Sequence, residues 1–218
     1  DPLLRFETIE LYEPPKQLVR AFSSTAGNTT VLGERKARVN AFKIGKGIGG
    51  WRMIVNITES TVLSKVEKPL ARPMIQLDEF VDIENAVKQD ERVKEACQKR
   101  GITNMDLVCI DPWSSGMFGN DYEEGRRLCC TYMWVKSSPL DNLYAHPVDG
   151  INAVVDINIM KVVHVEDWGV VPVPKTDINY DRAMLKDARK DLKPINVSQP
   201  EGVSFTMQGN TLKWHEWS

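Results

Sequence analysis

Short runs of alternating apolar and polar residues recur along this chain and predict a protein built mainly from β-strands. The runs rich in β-branched and aromatic residues are 6–11, 17–22, 35–44, 53–57, 61–66, 106–110, 127–136, 144–156 and 161–167. Between the first five runs and the last four, apolar residues recur at helical spacing and predict a helical stretch over 77–100. Asp78 is its candidate N-cap, Gly101 its candidate stop, and Asp90 a residue placed to interrupt it.

The chain also contains an internal repeat with an offset of 100 residues. Residues 55–58 match 155–158, and residues 61–63 match 161–163. Each copy consists of two alternating runs around a polar turn, which is the pattern of a β-hairpin. Because a period this long is not that of a solenoid, the sequence predicts two tandem domains of one fold.

The two copies differ in what precedes their strands. In the second copy, a helical stretch followed by four antiparallel strands predicts an α+β fold with the helix across one sheet face. The first copy shows only strands, since no helical pattern precedes Leu3. We therefore expect the first domain to be incomplete, to lack its N-terminal helix and to expose one face of its sheet. The expected boundaries are 1–73 for the first domain, 74–174 for the second, and 175–218 for a connector that ends in two short strands.

Composition places the chain among ordinary globular proteins, because 42% of its 218 residues are hydrophobic and 27% are charged. A net charge of −2 gives no reason to expect a nucleic-acid partner or an anionic membrane surface. No apolar run reaches the roughly 18 residues that a membrane-spanning helix requires. The expected partners therefore include neither nucleic acid nor membrane.

The four cysteines are too few and too unevenly placed for a disulfide framework, and no C-x-x-C pair favours a zinc site. They are therefore predicted to be free thiols, which favours the cytoplasm or the peroxisome. Triplets at Asn28, Asn56 and Asn196 fit the glycosylation pattern and favour secretion instead. The sequence leaves the compartment open between these alternatives.

Four short motifs follow one another along the second half of the chain: D-P-W-x-x-G, G-R-R-L, Y-A-H-P-V-D-G and Q-P-E-G. The residues that define them are Asp111, Pro112, Trp113, Gly116, Gly125, Arg127, His146, Pro147, Asp149, Gly150, Gln199, Pro200, Glu201 and Gly202. Any one motif is weak evidence, but their order and gaps together resemble copper amine oxidases, the topaquinone-containing primary-amine oxidases. The resemblance covers 75–218 by motif and 3–74 by topology, and it points to the second and third N-terminal domains of that family.

The resemblance implies that the chain is an accessory part of an enzyme. It implies a cystatin-like fold for both domains, that is, a helix packed on a four-stranded antiparallel sheet. The full-length family enzyme is a homodimer that uses copper and topaquinone to convert a primary amine, dioxygen and water to an aldehyde, ammonia and hydrogen peroxide. Its N-terminal domains pack on the C-terminal oxidase domain and help to shape the substrate entrance. We therefore expect this chain to hold no catalytic residue, cofactor or metal, and to partner the oxidase domain that it lacks.

Structural roles are expected for the residues of these motifs. The D-P-W segment is predicted to be a turn at the end of a strand, and His146 a loop residue that fixes a turn. Arg127 is predicted to make a solvated or an interdomain contact. Trp214 and Trp217, in the connector, are predicted to lie in a core or an interface.

Residues 176–181 match the T-x-x-N-Y-D pattern around the tyrosine that these oxidases convert to topaquinone. We nevertheless predict that Tyr180 is not a cofactor. The family holds copper with three histidines, two of them as His-x-His, whereas this chain has only His146, His164 and His215, none of them in such a pair. Tyr180 also precedes the Q-P-E-G motif, whereas the cofactor tyrosine of the family follows it.

Two other functions are compatible with the sequence. Cystatin-like folds also serve as stand-alone binding modules, and a small independent enzyme is the third alternative. The first two interpretations differ in their surface. A module that functions alone should expose no large apolar patch, whereas an accessory part separated from its enzyme should expose one.

Overall fold

The computed structural model describes residues 1–25, 32–138, 141–175 and 189–217. Asn28 and Tyr180, both named above, lie outside these residues. The chain divides into two units, 1–181 and 182–218. No helix of the described residues is long and apolar enough to cross a membrane.

The first half of unit one is a four-stranded antiparallel sheet in which strand order follows chain order. Its strands are β1 Leu4–Leu11, β2 Lys36–Lys43, β3 Gly50–Asn56 and β4 Thr61–Lys68. A short helix, α1 Lys16–Ser24, lies between β1 and β2 in the sequence.

The second half of unit one repeats this sheet and adds two helices before it. The helices are α2 Phe80–Gln89 and α3 Glu91–Lys99, and the strands are β5 Val108–Ser114, β6 Leu128–Val135, β7 Ile151–Asp156 and β8 Lys161–Asp167. Strand order again follows chain order, and all pairs are antiparallel. The structure is thus α+β, as predicted.

Unit two contains one small hairpin, β9 Phe205–Gln208 and β10 Thr211–Trp214. The described residues between β8 and β9, 168–175 and 189–204, form no helix or strand.

The two large sheets share their register at the offset of 100 residues. Val55 pairs with Val62 after a bulge, and Val155 pairs with Val162 after a bulge at the equivalent position. In the two hairpin turns, Ser60 and Met160 both adopt positive φ, at 56° and 49°. Since both features recur at the same positions, the sequence repeat corresponds to a repeated hairpin geometry.

Asp90 explains why the predicted helical stretch is two helices. Its backbone is extended at φ −72° and ψ 124°, which ends α2. Its carboxylate then accepts the backbone N–H of Arg92 at 3.0 Å and that of Val93 at 3.4 Å, which caps α3. One aspartate therefore serves as the stop of one helix and the N-cap of the next.

The core lies between these helices and one face of the second sheet. The helices contribute Ile83, Val87, Val93, Ala96 and Cys97, and the sheet contributes Val108, Ile110, Cys129, Met133, Ile151, Ala153 and Val155. Each fully buried aliphatic side chain of this kind stabilises the fold by about 1.5–3 kcal/mol.

The same face of the first sheet has no such cover. Trp51, Met53 and Val55 occupy the positions of Ile151, Ala153 and Val155, yet apolar neighbours on this face are open to solvent: Phe6 is 52% exposed, Ile9 66% and Val62 60%. Among the described residues, α1 buries no side chain. On strand β2 of the same face, Ala37, Val39 and Ala41 are buried, so this face is open at β1 and β4 but not at its centre. That the first copy is an incomplete domain stays a prediction.

Three sequence predictions were wrong. Residues 17–22 form part of α1 and not a strand, because Leu18, Val19 and Phe22 follow helical spacing after Pro15, which occupies the N-cap position. Residues 144–150 are not part of a strand either. A short 3₁₀ turn occupies Leu143–Ala145, where the Asn142 side chain accepts the backbone N–H of Tyr144, and β7 begins only at Ile151.

The third error concerns the D-P-W segment, which lies inside β5 and is not a turn. Pro112 pairs opposite Thr131. Because β5 is an edge strand, its outer side needs no ladder hydrogen bond, so a residue without an N–H is tolerated there.

Candidate functional site

Arg127 of the G-R-R-L motif lies at the junction of the two halves of unit one. Its side chain is 1% exposed and forms a two-pronged ion pair with Glu79, with N···O distances of 2.6 and 2.7 Å. It also donates to the carbonyl oxygens of Pro73, at 2.8 Å, and of Met74. The guanidinium carbon lies 4.7 Å from the centre of the Phe42 ring in the first sheet. The sequence left a solvated and an interdomain contact open for Arg127. The structure shows a buried contact between the two copies of the repeat.

Further contacts of the junction surround this ion pair. Asn158 donates to the Gly47 carbonyl oxygen at 3.1 Å, and Arg72 donates to the Arg126 carbonyl oxygen at 3.3 Å. Gly125 has a φ of +66° with open space where a Cβ would point, so its backbone conformation and not crowding favours glycine. The motif therefore places a left-handed residue beside a buried arginine at the contact between the repeats.

Arg100 plays a comparable role at the end of α3, with a fully buried side chain. It donates to the carbonyl oxygens of Asp149 at 3.1 Å, Gly150 at 2.9 Å and Gly169 at 2.6 Å, and to the Asp167 carboxylate at 2.8 Å. The hydrogen bond from Arg100 is the main reason why the pKa of Asp167 lies below its ordinary value. The V-D-G part of the third motif is thus the backbone that this arginine binds.

The same arrangement excludes any residue larger than glycine at position 150. The φ of Gly150 is +76°, and a Cβ would stand 2.6 Å from the Gly169 carbonyl oxygen. Any larger residue would push apart the two backbone segments that Arg100 joins.

His146 is 7% exposed, and its Nδ1 lies 3.2 Å from an Asp141 carboxylate oxygen. Asp141 also accepts the backbone N–H and the hydroxyl of Ser137, at 2.8 and 2.6 Å, and these hydrogen bonds are the largest cause of its lowered pKa. The backbone N–H of His146 donates to the Leu143 carbonyl oxygen at 3.0 Å, and Pro147 forms a bridge with Trp134. These contacts are those of a residue that fixes a loop.

The first motif contributes to a row of aromatic rings on the second sheet. Trp113 contacts Tyr132 edge to face at 6.2 Å between ring centres, Tyr132 is 6.3 Å from Trp134, and Trp134 is 5.2 Å from Tyr144. Gly116 lies in the loop after β5 against the ring of Phe118.

In unit two, the Q-P-E-G motif forms a turn in which the backbone N–H of Gly202 donates to the Gln199 carbonyl oxygen at 2.9 Å. Trp214 and Trp217 exchange two backbone hydrogen bonds but are 51% and 75% exposed. Neither lies in a core within the described unit, so an interface remains the prediction for both.

The sequence pattern of the family described as "Copper amine oxidase, N3 domain" matches residues 78–184. The whole chain is also similar to "Primary amine oxidase" of Arthrobacter sp. (strain P1), with 40% identity over 215 residues that make up 98% of this chain and 32% of the relative. The chain belongs to the copper amine oxidase family.

Two further comparisons agree with this assignment. "Diamine oxidase [copper-containing] 1, peroxisomal" of Nicotiana tabacum is 34% identical over 164 residues, which cover 72% of this chain and 21% of the relative. The crystal structure of a copper-containing benzylamine oxidase from Hansenula polymorpha shares the fold, with a TM-score of 0.70 at 22% identity, over 98% of this chain and 35% of that one. The chain thus spans about a third or less of the length of the copper amine oxidases that it matches.

The described residues of this copper amine oxidase segment do not fit a copper ion. Its three histidines have separate environments: His146 lies beside Asp141, His164 stacks on Tyr122 at 4.8 Å between ring centres, and His215 lies beside Trp214. No group of three or more His, Cys, Asp or Glu side chains in the described ranges could hold a metal ion. We therefore derive no metal-dependent step from these residues, and the predicted lack of a cofactor remains a prediction.

The cysteines are all free, as predicted. Burial raises the pKa of Cys129 to about 12 and raises the pKa values of Cys97, Cys109 and Cys130. Cys129 is buried and its neighbour Cys130 half-buried. A thiol with a raised pKa is a poor nucleophile at neutral pH, so the chemistry of these side chains favours packing over catalysis.

Sequence reasoning missed the role of Arg100 and the partner of Arg127. In the sequence, Arg100 lies at the end of the predicted helical stretch and Arg127 lies near Gly125. Arginines in such positions are usually solvated, so neither residue signals a buried contact. The long-range hydrogen-bond partners of both arginines lie between 48 and 69 residues away along the chain, which no local pattern reveals.

Proposed function

We propose that this chain is the N-terminal, non-catalytic part of a copper and topaquinone primary-amine oxidase. The reaction, in which a primary amine, dioxygen and water give an aldehyde, ammonia and hydrogen peroxide, belongs to the longer protein. The observation that carries this proposal is collinearity, because 98% of the chain aligns at 40% identity with only 32% of the Arthrobacter enzyme.

The role within that enzyme is structural. The two halves of unit one are cystatin-like domains, the first without its helix, and they pack on the C-terminal oxidase domain, where they shape the substrate entrance. The oxidase domain holds copper and topaquinone and forms the homodimer. The free thiols and the peroxisomal tobacco relative favour the cytoplasm or the peroxisome as the location.

The exposed surface counts against the alternative of a stand-alone cystatin-like binding module. Large apolar side chains are open to solvent on one face of the first sheet and along the connector, where Ile195 is 92% and Val197 94% exposed. A protein that functions alone rarely leaves apolar surface of this extent uncovered, whereas a part that packs against another domain needs it.

The gene tests this proposal. We expect the reading frame to continue past the codon for Ser218 into a β-rich segment with a His-x-His pair and a second N-Y-[DE] motif. The protein made from that longer frame should release hydrogen peroxide from a primary amine. A longer protein without amine oxidase activity after loading with copper would overturn the proposed function.

A further inference from the structure

The face of the second sheet opposite α2 and α3 is bare in its β5–β6 half. Paired residues lie on the same side of a sheet, so Cys109 with Trp134, Asp111 with Tyr132, and Trp113 with Cys130 all belong to this face. The alternate residues of the same strands point into the core, as Ile110 and Met133 do. We call this half, together with Tyr144 against Trp134, the aromatic face.

The composition of the aromatic face is not that of a solvated sheet. An antiparallel sheet that faces water on one side usually carries polar residues there, but Trp113 is 57% exposed, Tyr132 56% and Tyr144 64%. Trp and Tyr are the residues that concentrate in the buried centres of protein interfaces. Their edge-to-face contacts also hold the rings in a fixed arrangement before any partner arrives.

The shallow concavity of the aromatic face carries one sign of charge. It is lined by Asp111 and the four rings, and by no lysine or arginine of the described residues; Lys136 and Lys88 lie outside this concavity, near Cys109. Among the described residues, the Asp111 carboxylate accepts one long side-chain hydrogen bond, from the Trp113 indole N–H at 3.3 Å. A partner surface that brings a cation to this position gains both the carboxylate and the ring faces.

We propose that the aromatic face is the surface on which the remaining part of the longer polypeptide packs, with an arginine or lysine of that part against Asp111. This rests on the proposed function. The choice of occupant follows from length, because the chain spans only 32% of the Arthrobacter relative and about two thirds of such a polypeptide lies outside it. The bare face of the first sheet calls for a different cover, a helix like α2 and α3, by analogy with the second copy.

The chain carries its own probes for this contact. Cys109 and Cys130 are half-buried and lie on the aromatic face, whereas Cys97 and Cys129 are fully buried in the core on the other side. Thiol alkylation, read out residue by residue by mass spectrometry, therefore compares the aromatic face with an internal control in the same molecule.

The experiment alkylates the 218-residue chain and the longer product of the same gene side by side at one alkaline pH, because the pKa values of Cys109 and Cys130 are raised and alkylation requires the thiolate. In the chain alone, we expect Cys109 and Cys130 to react and the two core thiols to resist. In the longer protein, the reactions of Cys109 and Cys130 should slow about tenfold or more, with no change at Cys97 and Cys129.

Two variants of the longer protein sharpen the test. Trp113→Ser should restore the alkylation of Cys130, and Asp111→Asn should restore it in part. Phe118→Ser changes a side chain that is 81% exposed in a loop outside the aromatic face, and it should leave the protection intact.

The failures of the two proposals can be told apart. An active oxidase in which Cys109 and Cys130 react as fast as in the chain alone would overturn this proposal and leave the proposed function standing. Protection of both thiols in a longer protein that lacks amine oxidase activity would support this proposal and overturn the proposed function. A reading frame that stops at Ser218 would overturn both. Protection that appears in the chain alone, together with the mass of a dimer, would assign the face to a second copy and would also overturn the proposal.

Discussion

At the scale of single residues, two buried arginines hold unit one together. Arg127 joins the first sheet to the beginning of α2 through Phe42 and Glu79, and Arg100 joins the end of α3 to the ends of β7 and β8. Each is surrounded by carbonyl oxygens as well as one carboxylate, so every nitrogen of both guanidinium groups has a protein acceptor. Among the motif residues that point to the family, Arg127 is one of these two side chains, and Asp149 and Gly150 provide carbonyl oxygens that the other one binds.

Removing the Arg127 side chain should strongly destabilise the fold. Arg127→Ala leaves Glu79 buried without its partner, and breaking a buried pair in this way costs about 3–5 kcal/mol of unfolding free energy. The measurement is urea denaturation. The matched control is the neighbouring Arg126→Ala, whose side chain is 41% exposed and 3.9 Å from Asp156 and which should cost about 1 kcal/mol or less. Equal losses for the two variants would contradict the junction assignment.

The Asp167–Arg100 pair should make stability depend on pH in the acid range. The pKa of Asp167 is lower in the folded state than in the unfolded state, so its contribution is present above the unfolded value of about 4 and is lost as the pH falls through the folded value. Asp167→Asn should remove this part of the acid loss, so that the wild-type chain and the variant become closer in stability as the pH falls below about 4.

The same series of denaturation curves includes Glu95→Gln as a control, an exposed carboxylate on α3. A difference between the wild-type chain and Asp167→Asn that stays constant from neutral pH to acid would show that this ion pair does not contribute in the expected way.

At the scale of elements, the sequence revealed those parts whose pattern is local. The β3–β4 and β7–β8 hairpins follow from β-branched alternation around polar turns, and the division of α2 from α3 follows from one capping aspartate. Errors in element type occurred where one spacing of apolar residues is compatible with both a strand and a helix. Residues 17–22 have apolar residues at spacings that suit a strand and a helix alike, and Pro15 before them was the signal in favour of a helix.

The aromatic face and the arginine contacts could not be predicted for a different reason. Both depend on which strands become neighbours and which residues oppose one another, and register is a property of the assembled sheet. Trp113, for example, was expected to pack in a turn, but the edge position of β5 leaves it on an open face.

The repeat provides a matched test of the bare face on the first sheet. Val62 and Val162 occupy the same position in the two hairpins, but Val62 is 60% exposed whereas Val162 packs against the core beneath the helices. Val62→Thr should change the unfolding free energy by no more than about 0.5 kcal/mol, and Val162→Thr should lower it by about 1–2 kcal/mol. A loss at Val62 as large as that at Val162 would mean that the first sheet is covered in solution.

At the scale of the whole molecule, the described residues form a packed core but leave many large apolar side chains exposed to solvent. The second sheet has helices on one face and the aromatic face on the other, and the first sheet has the contact around Phe42 on one face and bare apolar residues on the other. Among the described residues, each sheet therefore exposes large apolar or aromatic side chains on one of its faces. Such a distribution is expected of domains that complete their packing within a larger enzyme.

The central claim is that the chain supports an oxidase without performing its chemistry. The most direct measurement is hydrogen peroxide release by the purified 218-residue chain, incubated aerobically with copper and then with a primary amine, together with a redox-cycling stain for protein-bound quinone. We expect no peroxide above the copper-only background and no stain, with Tyr180→Phe indistinguishable from the wild-type chain. Amine-dependent peroxide and a quinone stain that both disappear in Tyr180→Phe would contradict the account and make Tyr180 the cofactor.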